Sequence, residues 1–231
     1  MENYFYNMVD AQDLQRLHYL PTMGEFVEWI EKEYADSPAI SHNGQVYTYK
    51  EMCGRVARRR AYIASLGLPA GSHIAVLDRN SLDAIELLLA IPSAGHVVMM
   101  LPASLPAPAI AGSCKRFDID AIFVRDEFRP VCEGLEGVKV LAASAMAEET
   151  APCAKVDPDA PAAIFFTGGT TGQPKGAVLS QHALMRGAFN AIYKPGKVIG
   201  VHRYIALLPL SHVFGVIAGT QIGRASCRER V

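Results

Sequence analysis

The stretch Ala162-Ala163-Ile164-Phe165-Phe166-Thr167-Gly168-Gly169-Thr170-Thr171-Gly172-Gln173-Pro174-Lys175-Gly176-Ala177-Val178-Leu179 carries a glycine- and threonine-rich turn between two apolar runs. Gly168, Gly169 and Gly172 permit backbone conformations that side chains forbid, so amide N–H groups can converge on an anion. The hydroxyls of Thr167, Thr170 and Thr171 add donors, and Lys175 adds a mobile positive charge. That inventory suits a polyphosphate. The flanking runs, residues 162–166 and 177–179, read as strands that hold the loop in place. A Walker loop needs G-x-x-x-x-G-K-[ST] and a helix opening at its lysine. Here Pro174 separates Gly172 from Lys175, and Gly176 stands where a Ser or Thr should follow. The anion is therefore expected on amides, hydroxyls and Lys175, without a helix dipole.

The whole pattern resembles the phosphate-binding signature of the AMP-forming adenylating superfamily, which includes acyl-CoA synthetases, aryl-CoA ligases, luciferases and peptide-synthetase adenylation domains. The usual form begins Thr-Ser-Gly-Thr-Thr-Gly and ends Pro-Lys-Gly, and this chain departs from it only at Gly168, in the serine position. A second stretch, Leu208-Pro209-Leu210-Ser211-His212-Val213-Phe214-Gly215, resembles the Pro-Leu-x-His-x-x-Gly element of acyl- and aryl-CoA ligases. Taken alone, a histidine among apolar residues is more often a satisfied core residue. The resemblance instead implies that His212 lies beside the reacting carboxylate. Val46 to Met52, Gly71 to Leu77 and Ala94 to Pro102 resemble scaffold parts of the same family.

The resemblance implies an ATP-dependent carboxylate–CoA ligase. A carboxylate attacks the α-phosphorus of ATP and expels pyrophosphate; the CoA thiol then attacks the acyl-adenylate and releases AMP. Thr167, Gly168, Gly169, Thr170, Thr171, Gly172 and Lys175 are thereby assigned to the β- and γ-phosphates, with Lys175 and His212 as the catalytic candidates. The expected ligands are ATP, Mg2+, CoA and a small carboxylic acid. Gly168 inclines the reading towards fatty acyl chains, and the Pro-Leu-Ser-His form also suits aryl acids. A carrier-protein ligase, a luciferase-like oxygenase and a non-catalytic nucleotide-binding chain stay open as alternatives.

Composition fits this reading. Of 231 residues, 50% are hydrophobic and 19% charged, with a formal net charge of −1. No basic excess points to nucleic acid. No apolar run is long enough to span a bilayer, and no leader pattern opens the chain, so a cytoplasmic protein is expected. The five cysteines, scattered without metal spacing, fit reduced thiols, and no metal ligands are assigned.

Periodicity gives helices near residues 26–34, 49–66, 81–92, 107–116, 180–192 and 214–221. Strands are expected at 74–77, 97–101, 121–124, 138–141, 162–166, 177–179 and 204–208. That alternation predicts a layered α/β fold with largely parallel strands. Ser81 is placed to cap its helix. Arg55, Arg58, Arg59 and Arg60 are expected to form a solvated helix face. Residues 148–161, acidic and proline-containing, are expected to be a linker. Residues 1–221 read as part of an N-terminal adenylation domain. Residues 222–231 resemble a sequencing adapter read through in one frame and are expected to be non-native. The family's magnesium-associated glutamate and its C-terminal domain are expected beyond this stretch, so the chain alone is expected to be inactive.

Overall fold

Alternate residues of each central strand enter different cores, and that alternation organises the molecule. Ile74, Val76, Val98, Met100, Ala121 and Phe123 pack into one buried cluster; Ala75, Leu77, Val97, Met99, Leu101, Ile122 and Val124 pack into the other. Strands buried on both faces read as near-continuous apolar runs, which is why these segments are legible in the sequence. The structure, a computed structural model, describes residues 22–167, 175–192, 208–213 and 216.

The chain opens with helix α1 (Met23–Tyr34), then the hairpin β1 (Pro38–His42) and β2 (Gln45–Thr48). Helix α2 (Tyr49–Ser65), β3 (His73–Leu77), α3 (Leu82–Ser93), β4 (Val97–Leu101), α4 (Ala107–Arg116) and β5 (Ile119–Val124) follow. A 3₁₀ turn (Asp126–Cys132), β6 (Lys139–Ala142), β7 (Pro161–Thr167), β8 (Lys175–Ser180) and α5 (Gln181–Ile192) complete the described elements. The main sheet has six strands in the order β6-β5-β3-β4-β7-β8. All neighbours in it are parallel except β7 and β8, which form an antiparallel pair. This is the expected layered α/β arrangement. Residues of α1, α2, α3 and α5 share one core, and α4 with the 3₁₀ turn covers the opposite face.

Local chemistry fixes the helix starts. Thr48 and Glu51 form a capping box on α2: Thr48 Oγ1 accepts from the Glu51 amide at 3.2 Å, and Glu51 accepts from the Thr48 amide at 2.7 Å. Ser81 caps α3 as expected, its hydroxyl accepting from the Ala84 amide at 3.0 Å. Pro92 stands in the last turn of α3, which closes at Ser93. The β1–β2 hairpin turns through Asn43 and Gly44, at φ 49° and 79°, a left-handed pair that Asn-Gly supplies readily.

Two expectations are corrected. The arginines of α2 are not a solvated face, because only Arg58 is exposed. Arg59 is fully buried, and its guanidinium contacts Glu86 Oε2, Asp83 Oδ1 and the carbonyls of Ala143 and Ala145. Arg55 reaches Glu86 from the half-buried side, and Arg60 Nε donates to Ala151 O at 3.0 Å. A buried charge persists only with such partners. Nor is the 148–161 stretch a loose linker. It straps across α2 and α3, with the Ala151 amide on Ala57 O at 3.1 Å and the Ala154 amide on Ser93 O at 2.8 Å. The proposed strand 204–208 and helix 214–221 lie largely outside the described residues, and the 222–231 tail lies wholly outside them.

Candidate active site

The stems of the glycine loop are the neighbouring strands β7 and β8. Their register pairs Thr167 with Lys175, Phe166 with Gly176 and Phe165 with Ala177. Both stems of the loop are therefore strands, as its sequence implies, and Thr167 and Lys175 pair at its two ends. Gly168, Gly169, Thr170, Thr171 and Gly172 lie outside the described residues. Lys175 is exposed at the first position of β8.

The second stem is held by close packing. A Cβ on Gly176 would lie 2.5 Å from Phe117 Cε1, so the ring would have to shift, and 3.0 Å from Ile164 Cγ2, a tight contact. Phe117 in turn meets Phe166 edge-to-face, with ring centroids 5.8 Å apart. The glycine after the lysine is thus a packing requirement: Phe117 lies where a side chain would be, directly beside the residue that offers the charge.

Thr167 ends β7 at the carboxyl side of the parallel strands, where ligands of open α/β sheets are bound. The turn that follows β3 stands on that side too. Asp78 there is buried and accepts from the Arg79 amide at 2.7 Å and the Ser81 hydroxyl at 2.5 Å. Arg125, just past β5, donates to Asp78 at 3.4 Å, and Arg79 pairs with Glu127 at 2.9 Å. This edge carries both signs of charge, largely paired.

His212 comes to this edge through its backbone. The His212 amide donates to Pro209 O at 3.1 Å, and His212 O accepts from the Val216 amide at 3.2 Å, so the imidazole leaves a tight turn. His212 is exposed, while Leu210, Ser211 and Val216 are buried. Leu210 and Val216 join the core shared by α1, α2, α3 and α5. A residue that the sequence reading passed over, Asn80, ties this segment to the β3–α3 turn. Its Nδ2 donates to Leu208 O at 2.8 Å, and its Oδ1 accepts from the Leu210 amide at 3.0 Å. The only available sign was its place, a carboxamide between a strand end and a helix cap.

Elsewhere, burial keeps the thiols protonated: Cys53 is pushed up to about 12, and Cys114 and Cys153 to about 11. Among the described residues there is no group of three or more His, Cys, Asp or Glu side chains that could hold a metal ion. No helix among them is long and apolar enough to cross a membrane.

Known proteins resemble this chain in sequence and in fold. The chain is 28% identical over 223 residues to a 4-chlorobenzoate–CoA ligase of an Arthrobacter species, covering 86% of this chain and 41% of that protein. It is 27% identical over 183 residues to the fatty acid–[acyl-carrier-protein] ligase ScoC of Streptomyces coeruleorubidus, covering 74% of this chain and 35% of that protein. The chain thus spans well under half the length of these relatives. The fold matches the N-terminal domain of FACL13 from Mycobacterium tuberculosis with a TM-score of 0.78 at 20% identity, over 91% of this chain and 57% of that one. The sequence profile of AMP-binding enzymes matches residues 26–223, and the chain belongs to that family.

Proposed function

We propose that this chain supplies the phosphate-binding and carboxylate-side portion of an ATP-dependent carboxylate–CoA ligase. The observation that carries the reading is a juxtaposition. The stems of the glycine loop and the His212 segment stand at the carboxyl side of one sheet, the first set by the β7–β8 register and the second by Asn80. In this reading the amides and hydroxyls of residues 167–172 bind the β- and γ-phosphates, and Lys175 neutralises charge on departing pyrophosphate. Phosphoryl chemistry of this kind depends on positioning and on charge stabilisation where charge develops. His212 borders the carboxylate. Magnesium would be supported by residues outside those described.

The Pro-Leu-Ser-His element favours CoA as the acyl acceptor. The similarity to ScoC, named as a carrier-protein ligase, supports a second reading in which the acceptor is a carrier-bound thiol. The acid is read as fatty acyl or aryl. The test uses the full-length protein containing this chain, with ATP, Mg2+ and a panel of octanoate, palmitate and 4-chlorobenzoate. Acid-dependent release of AMP and pyrophosphate is expected, with CoA thioester formed when CoA is present. Thioester on a carrier protein but not on CoA would select the second reading. Release of ADP and inorganic phosphate would sink both. The 231-residue chain alone is expected to show no turnover.

A further inference from the structure

We propose that Asn80 is a positioning residue that sets the place of His212, and that the β3–α3 turn thereby registers the carboxylate side of the site to the central sheet. This rests on the ligase reading of His212 given above.

The geometry is specific. One carboxamide bridges two backbone groups two residues apart, the carbonyl of Leu208 and the amide of Leu210. Leu208 offers an acceptor and Leu210 a donor, so only one orientation of the Asn80 amide satisfies both. No other residue type of that length carries both functions. Asp could accept from Leu210 but would set a negative charge against the Leu208 carbonyl, and Ser is too short to span the pair.

Asn80 is itself held. Its neighbours Arg79 and Ser81 both donate to the buried Asp78 carboxylate, so the turn is fixed on either side of the amide. Ser81 also caps α3, which ties the turn to a helix buried along most of its length. On the receiving side, the Leu210 side chain is buried at 3% exposure. The His212 amide folds back on Pro209 O within the clamped turn. The imidazole is therefore two residues from the amide that Asn80 holds. Asn80 bonds the backbone of this segment directly to the turn that follows β3. Leu210 fixes depth; Asn80 fixes direction along the edge. A misplacement of about 1 Å in a reacting group typically costs about a hundredfold in rate, so such a tie has leverage on chemistry that it never touches.

The test compares the full-length protein with its Asn80→Ala, Asn80→Asp, His212→Ala and Asn80→Ala/His212→Ala forms. Hydrogen exchange is read by mass spectrometry on peptides covering residues 208–213, and kinetics by acid-dependent ATP–pyrophosphate exchange, using whichever of octanoate, palmitate and 4-chlorobenzoate is most active. Loss of the clamp should speed exchange of the Leu210 amide by about threefold to tenfold. The kcat/KM for the acid should fall by about 10- to 100-fold, with KM for ATP moving less than about twofold. In the His212→Ala background, Asn80→Ala should add little, because the asparagine acts through the histidine. Asn80→Asp keeps the size and the Leu210 contact, so it serves if the alanine form folds poorly, and it should fall between the two. Unchanged exchange at residues 208–213 would overturn the clamp. Faster exchange with unchanged acid kinetics, an equal rise in KM for ATP, or full additivity with His212→Ala would overturn the positioning role. If the unmodified protein shows no acid-dependent pyrophosphate exchange, the ligase reading fails and the positioning role with it; the exchange data then still report on the clamp separately.

Discussion

Arg59 is fully buried with a full charge, and its removal should be among the costliest single changes in the chain. Two cations and two anions meet between α2 and α3: Arg55 and Arg59 with Asp83 and Glu86. Arg59 and Glu86 have no exposed side-chain surface, whereas Arg55 and Asp83 keep 30% and 29%. Glu86→Leu removes the central anion and strands the Arg59 guanidinium among apolar side chains, with only Asp83 to balance it. Breaking a buried pair from one side costs about 3–5 kcal/mol, and the Asp83 contact holds this case to about 3 kcal/mol. Arg59→Met leaves Glu86 with Arg55, but it also orphans the carbonyls of Ala143 and Ala145. A stranded buried acceptor costs about 1–3 kcal/mol, so this variant should lose about 4–5 kcal/mol.

The double variant separates pairing from packing. With both charges gone the interior is apolar, and Arg55 and Asp83 can turn to water. The two losses should then fall short of additivity by about 2–3 kcal/mol. Urea unfolding followed by fluorescence of Trp29, the single tryptophan, reads all three variants. At a slope of roughly 2–3 kcal/mol per molar urea, each single substitution should lower the midpoint by about 1–2.5 M. If both singles fall within about 1 kcal/mol of the parent, or the losses add within about 0.5 kcal/mol, the network contributes nothing and the reasoning is wrong.

Three further outcomes follow from the same geometry. Gly176→Ala should cost about 1–3 kcal/mol, read as a lowered unfolding temperature, because its methyl would collide with Phe117 and Ile164; an unchanged melt would mean that the ring moves freely aside. His96 is buried at 7% exposure with Nδ1 unpartnered among the described residues, and burial holds its pKa below the usual histidine value of about 6.5. Its folded form resists protonation, so the unfolded chain binds the extra proton and His96 lowers stability as pH falls below about 6.5. The pH-dependent difference in unfolding free energy between the parent and His96→Leu should open in that window, and a difference independent of pH would contradict it. Cys53, with its thiol pushed up to about 12 by burial, should resist iodoacetamide at pH 8 until the chain unfolds; rapid labelling of the folded protein would refute this.

The centre of the sheet is legible from sequence because β3, β4 and β5 are buried on both faces, so apolar runs such as Ile74 to Leu77 and Val97 to Leu101 announce themselves. The loop stems were legible for a different reason: the same two runs bracket a glycine-rich turn, and β7 and β8 pair as antiparallel neighbours. The arginine network was not legible. Helix α2 carries Arg55 and Arg59 one turn apart, which looks like a wet face, and their partner Glu86 lies on another helix far along the chain. No local spacing rule joins positions on different elements. The 148–161 strap is not legible in the sequence because its attachments are backbone hydrogen bonds to carbonyls of Ala57 and Ser93, which leave no side-chain signature. The β1–β2 hairpin is a different kind of miss, since Asn43-Gly44 is a strong turn signal that stood in the sequence unused.

Asn80 shows why a site is harder to read than its scaffold. The motif around His212 identifies a residue type and a neighbourhood, but a catalytic position also needs a direction, and direction comes from what the backbone is tied to. Here the tie crosses from the end of β3 to a segment far downstream, through an amide whose two contacts are both to main chain. Main-chain partners impose no side-chain identity on Leu208 or Leu210, so nothing at those positions advertises the contact. The same holds on the other stem, where Gly176 is fixed by Phe117, a residue from the far side of the sheet. In the proposed reading, the segments that carry Lys175 and His212 are thus both held by residues outside their own motifs. Substitutions at Asn80 and Phe117 should therefore perturb the chemistry of motifs that they leave intact.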